Sequence, residues 1–295
     1  MMTSKRPSPT QRPTSWWLET LRRRAEKMND EYLDLSKPIE WESEDERRAA
    51  IKFFNAAFRA EESGLTQAHQ LADEVGEWDP DLAEVLKLYG DEEGWHRKLL
   101  TEFLDHIGGD VQPMGRTTRT LYRLYARAKR METIVLTNLM FETIGSTTYR
   151  MALRNVRQPE VRQMLTILTR DESFHVPLNV HFLRHVMART PAGEHWRARL
   201  IYRLLFTTLV ALPLASRPKA RKFDQLGTLD LARGYAKQLG QLFAREHDLE
   251  FKPPRLFLRL LGLGERDLST TGEAVTSVEA AEKAADRTNV VVTAL

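Results

Sequence analysis

Glu93-Gly94-Trp95-His96 and Glu172-Ser173-Phe174-His175 are two copies of one short pattern, Glu-x-x-His. Residues three apart on an α-helix share a face, so each copy would present a carboxylate and an imidazole together. A further glutamate precedes each copy, Glu61 by 32 residues before Glu93 and Glu142 by 30 before Glu172. Together these are four carboxylates and two imidazoles, enough to hold two metal ions inside a helical bundle. A mixed oxygen and nitrogen set suits iron or manganese rather than metals that seek thiolate. One Glu-x-x-His alone would mean little, because average composition gives about half a chance match in a chain this long. Two copies with matched upstream glutamates carry the argument.

The elements that must position these residues are helical. Glycine and proline are sparse, 15 and 13 of 295 residues, and gather at a few points. A short amphipathic helix is expected over 16–35. Four long ones follow over 43–75, 80–108, 116–156 and 159–189, the second and fourth opened by Pro80 and Pro159 at a first turn. Shorter helices are expected over 194–212, 228–246 and 254–263. The division that results is an N-terminal extension over 1–42, a four-helix bundle over 43–190, packed C-terminal helices over 191–264, and a loose tail over 265–295. The link between the second and third long helices is long enough to cross the bundle.

Amphipathicity selects among candidates. Around Glu61 the positions one and two turns away are Ala57, Phe58, Leu65 and Ala68, a core face, whereas Glu62 shares a face with Thr66, His69 and Asp73. Glu61 is therefore the expected ligand. Glu142, among Leu139, Ile144 and Tyr149, needs a charge partner if buried, and a metal supplies one. Metal-bound histidines donate their second ring N–H to a carboxylate. Asp171 and Glu92, each next to a motif, are expected to serve His96 and His175 respectively. Tyr89 lies one turn before Glu93 and is expected to point at the cluster, as is Tyr149. Ser146, one turn after Glu142, is a candidate proton relay, with a bond to its own helix as the competing role. Gly64 and Gly145, each three residues past a glutamate, read as room for dioxygen or substrate, or as close helix packing. His181 and His185 are expected beside the site or on the surface.

Composition closes other routes. With no cysteine there is no disulfide, thiolate zinc, iron–sulfur cluster or cysteine nucleophile. A net charge of +3 with interspersed signs calls for no nucleic-acid partner. Residues 1–13 lack an apolar stretch of the secretory kind, so a cytoplasmic protein is expected. The apolar segment 200–215 contains Arg203 and Pro213 and does not read as a membrane span. Its expected roles are a lid over a hydrophobic substrate, a membrane-surface or carrier-protein contact, a homodimer contact, or core, the last two being favoured.

Over about residues 45–190 the pattern resembles the ferritin-like di-iron carboxylate proteins. Tyr149 seven residues after Glu142, and Arg170-Asp171-Glu172 ahead of His175, are similar to the aldehyde-deformylating oxygenases, which implies a bond from Tyr149 to Asp171. The apolar helices after the second motif also resemble the p-aminobenzoate N-oxygenase-like proteins, though Leu168 stands where those carry an extra histidine. The resemblance implies an all-α, ferritin-like four-helix bundle with additional N- and C-terminal helices. It implies two Fe ions, with Mn or a mixed Mn/Fe pair as variants, and O2 as co-substrate. The implied activity is oxidation of a small, hydrophobic organic molecule, with a ferroxidase, an iron-handling protein or a structural di-metal module as alternatives. Electrons would come from a ferredoxin or reductase, since the chain has no nucleotide-binding glycine motif.

Overall fold

The computed structural model describes residues 12–28, 31, 33–115, 119–120, 128–216, 221–243 and 248–269. Among them every regular element is helical. Helix α1 spans Thr14–Met28, α2 Glu44–Gly76, α3 Pro80–His106, α4 Met131–Leu153 and α5 Pro159–Arg189. After a 3-10 turn at Ala192–Glu194 come α6, His195–Ser216; α7, Arg221–Asp224; α8, Thr228–Leu242; α9, Arg255–Leu260; and α10, Glu265–Ser269.

Local chemistry fixes the main boundaries. The Ser43 hydroxyl accepts the Glu46 N–H at the start of α2, and Asp79 accepts the Leu82 N–H ahead of Pro80 at the start of α3. Pro159 occupies the first turn of α5. Two expectations fail at helix starts and ends. The third long helix is not continuous from 116: Arg119 and Thr120 are helical, but 128–130 are not, Arg130 is extended, and α4 begins at Met131; the expectation for 116–118 and 121–127 lies outside the described residues. The first helix stops at Met28, and 33–35 are not helical. The tail also starts with structure, since α10 packs on α8, where Gln241 donates to the Asp267 carbonyl; residues 270–295 lie outside the described residues.

The bundle is α2–α5, with α2 packed chiefly on α3 and α4 on α5. Its apolar core forms two clusters. One joins the C-terminal half of α2, the N-terminal halves of α3 and α4 and the C-terminal half of α5. The other joins the opposite halves, from Phe53 and Phe54 through Phe103 to Leu165 and Leu168. Hence α3 and α4 run in the same direction, so the end of α3 and the start of α4 lie at opposite ends of the bundle. Glu61, Glu93, Glu142 and Glu172 lie midway along their helices, at the boundary of the two clusters.

Outside the bundle, α1 packs on α3, and α6 and α8 pack on each other and on α4. Helix α6 is two-faced: Ala198, Tyr202, Phe206, Leu209 and Val210 enter the core, while Trp196, Leu200, Leu204 and Leu214 are exposed. The apolar segment is thus core on one side only. Among the described residues no helix is long and apolar enough to cross a membrane.

Candidate metal centre

All six candidate ligands lie in the buried middle layer. Glu61, Glu93, His96, Glu172 and His175 are at most 3% exposed, and Glu142, at 9%, is the most accessible. One ligand atom from each of Glu93, His96, Glu172 and His175 falls within 4.8 Å of all the others. Glu61 joins this group at one end, 3.2 Å from His96 Nδ1 and hydrogen-bonded to Glu93. Glu142 joins it at the other, hydrogen-bonded to Glu172. Glu62 is outside the cluster, paired with Arg59.

The two imidazoles are held alike. His96 Nε2–H donates to Asp171 at 3.0 Å, and His175 Nε2–H donates to Glu92 at 2.9 Å. Both contacts expected from sequence are present. With Nε2 so committed, each Nδ1 faces the carboxylates.

Burial and crowding set the protonation. Burial, then the charges of Glu142 and Glu61, push Glu93 well above the usual carboxylate range. Burial and Glu142 do the same to Glu172. Burial alone would raise Glu61, but hydrogen bonds from Glu93 and His96 take it below its ordinary value. Burial likewise opposes a charge on His96, yet Asp171 and Glu61 outweigh it and raise the group to about 9. Protons thus stand where cations would balance four converging carboxylates.

Within the cluster, three buried atoms nevertheless have no hydrogen-bond partner among the described residues: Glu93 Oε1, Glu172 Oε2 and His175 Nδ1. Glu93 Oε1 and His175 Nδ1 are 3.0 Å apart but not aligned for a bond. Unsatisfied buried polar atoms are costly, and these three belong to the candidate ligand set. The donor set therefore fits a pair of divalent ions.

A narrow cavity of about 20 Å³ opens beside the carboxylates, lined by Ala60, Glu61, Ser63, Asn138, Phe141, Glu142, Gly145, Tyr149 and Glu172. Its size admits roughly one water-sized molecule. The Tyr89 hydroxyl donates to Glu142 at 2.8 Å and accepts from Asn138 at 3.0 Å. Tyr149 donates to Glu61 at 3.3 Å, not to Asp171 as the oxygenase resemblance implied. The helical twist points Tyr149 across at α2, while Asp171 is already engaged by cations and His96. Ser146 does not line the cavity; its hydroxyl returns to the Thr143 carbonyl at 3.4 Å, so the relay expectation gives way to the local bond. Gly145 does line the cavity, but Gly64 faces Glu93, whose carboxylate would lie 3.2 Å from an added Cβ. The space at Gly64 is filled by a ligand candidate, not by substrate. His181 is buried against Thr14 and Trp17, and His185 is half-exposed near Asp79. Phe174 is fully buried against Trp17.

Sequence reasoning named Arg170 only as part of a motif and missed Arg24, the two cations behind the site. Arg24 on α1 is fully buried and donates to Glu92 at 2.8 and 3.1 Å and to Asp171 at 2.9 Å. Arg170 grips Asp171 at 2.8 and 2.9 Å and pairs with Glu31 at 2.6 and 2.8 Å. A signal existed: Arg24 lies seven residues after Trp17 and three after Leu21, on the apolar stripe of α1.

Among proteins of known families, residues 52–178 match the rubrerythrin family, a segment that runs from α2 into α5 and contains all six candidate ligands. No curated protein and no solved structure matches the chain.

Proposed function

We infer, from the match of residues 52–178 to the rubrerythrin family and the buried carboxylate–imidazole cluster, that this protein is a di-iron oxidoreductase that consumes dioxygen. Glu61, Glu93 and His96 would hold one ion and Glu142, Glu172 and His175 the other, with Glu93 and Glu172 standing between the two halves. The observation that carries this reading is the set of three unpartnered atoms, Glu93 Oε1, Glu172 Oε2 and His175 Nδ1, inside one buried cluster. Iron, when bound, supplies the electrons that reduce dioxygen.

The remaining chemistry belongs to the chain's own groups. Glu93, Glu172 and His96 give up protons as metal is taken up. Tyr89 and Tyr149 steady the Glu142 and Glu61 carboxylates. The cavity admits a diatomic molecule next to Glu142 and Glu61 and excludes bulk water. An apolar organic substrate would then meet the site at the mouth, where Ala60, Phe141 and Gly145 are part-exposed between α2 and α4. An external protein, a ferredoxin or reductase, would supply the electrons.

The small cavity also favours a second reading, a ferroxidase whose reactants are only dioxygen and iron. Anaerobic loading with Fe(II), followed by rapid mixing with air-saturated buffer, separates them. Oxidation of a tightly bound pair that is faster or altered in the presence of apolar organic compounds supports the oxygenase. Turnover of added Fe(II) with growth of an iron mineral supports the ferroxidase. A folded chain that takes up neither Fe(II) nor Mn(II) would sink both.

A further inference from the structure

The matched segment starts at residue 52, but the polar network behind the cluster starts earlier, on α1. Trp17, Leu18 and Leu21 seat that helix on α3, and Arg24 continues their stripe into the interior. Its guanidinium lies 4.4 Å from the centre of the Phe174 ring, so the middle of the second Glu-x-x-His supplies an apolar and π-rich wall for it. Nε and Nη2 engage Glu92, and Nη2 also engages Asp171. Each of those carboxylates accepts the Nε2–H of one imidazole. Two chains of contact therefore run from one cation, through Glu92 to His175 and through Asp171 to His96.

We propose that Arg24 is a positioning residue for both imidazoles and couples the two halves of the metal centre, making α1 a working part of the site. This rests on the two-metal reading given above. A planar fork with fixed N–H directions can span two acceptors, which a lysine ammonium does not reproduce. Asp171 also keeps both bonds from Arg170, which Glu31 in turn orients.

The test uses the full chain, with Mn(II) as probe and electron paramagnetic resonance as readout. The free-ion signal gives the affinity of each ion, and an exchange-coupled signal reports the pair. Wild type is expected to bind two ions and show the coupled signal. Arg24→Gln and Arg24→Lys should weaken both ions by about 10- to 100-fold, since loss of a group that orients metal-bound histidines costs that much. Leu18→Ala, on the same helix but away from the guanidinium, should lower the melting temperature and leave both affinities at wild-type values. Wild-type affinities in either folded Arg24 variant would overturn the proposal. So would equal weakening of Mn(II) binding by Leu18→Ala, or failure of both Arg24 variants to fold in saturating Mn(II), because either result makes Arg24 a packing residue. A wild-type chain that binds no coupled pair would instead refute the two-metal reading on which the proposal stands.

Discussion

Gly64→Ala sets helix stability against metal binding at one atom. Gly64 is in the interior of α2, where alanine is favoured by about 1 kcal/mol. Its added Cβ would lie 3.2 Å from Glu93 Cδ and Oε2 and 3.3 Å from Cγ. Contacts that tight oblige the neighbour to move by a few tenths of an ångström. Without metal, Glu93 is the far end of a flexible side chain and can yield, so most of the helix gain survives. A melting temperature roughly 1–3 °C above wild type is expected for the metal-free variant. With metal the same displacement exceeds the tolerance of about 0.2 Å on ligand distances. Affinity should then fall about tenfold, equivalent to roughly 1.4 kcal/mol. The two effects nearly cancel in the loaded protein, whose melting temperature should stay close to wild type. Thermal unfolding with and without Mn(II), together with chelator-competition titrations, measures both terms. Unchanged affinity, or a metal-free variant melting several degrees lower, would refute the reasoning that Gly64 is there to clear space for Glu93.

Gly145→Ala makes the complementary case: its Cβ meets only Tyr149, at 3.8 Å, but enters the cavity. It should leave metal affinity intact, raise the melting temperature by a few degrees, and slow oxidation of bound Fe(II) by dioxygen in stopped-flow measurements. For pH, the raised carboxyl groups of Glu93 and Glu172 and the imidazole of His96 act with one sign in the metal-free protein. Each folded value exceeds its unfolded one, so the stability they contribute is complete below about pH 4.3 for the glutamates and about pH 6.5 for His96. It is lost as pH rises, through about 9 for His96. Glu61, lowered instead, acts oppositely and only below the ordinary glutamate range. The unfolding free energy of the metal-free chain, from denaturant titration, should fall between pH 5 and 9 by on the order of a few kcal/mol, whereas Mn(II) affinity should rise over the same interval; parallel curves would contradict this. Tyr149→Phe removes one 3.3 Å hydrogen bond to Glu61 and should cost about 1 kcal/mol of metal binding by calorimetry. Ser146→Ala, losing only a bond to its own helix, should change neither metal uptake nor oxidation rate.

The bundle was legible because α2 and α3 carry side-chain caps, α3 and α5 carry first-turn prolines, and the apolar stripes run through all four helices. The same stripe separated Glu61 from Glu62, and spacing alone anticipated the Asp171–His96 and Glu92–His175 contacts. Sequence failed where no local signal exists. Nothing in Ala128-Lys129-Arg130 resembles a breaker, yet Arg130 is extended, since the chain must complete its return across the bundle before α4 begins. The target of Tyr149 depends on the rotation of α4 against α2, which periodicity does not define to a single side chain. Arg24 was passed over despite its place on the apolar stripe of α1, because the stripe does not say what a charged residue there would meet. Its burial is decided by partners 68 and 147 residues away.

Those separations also make the polar network behind the centre a property of the whole bundle. The Arg24 guanidinium meets both acceptors only when α1, α3 and α5 are packed together, because Glu92 and Asp171 stand on different helices. Local helix formation cannot supply that meeting, so the network should form with the closing of the tertiary structure and not before it.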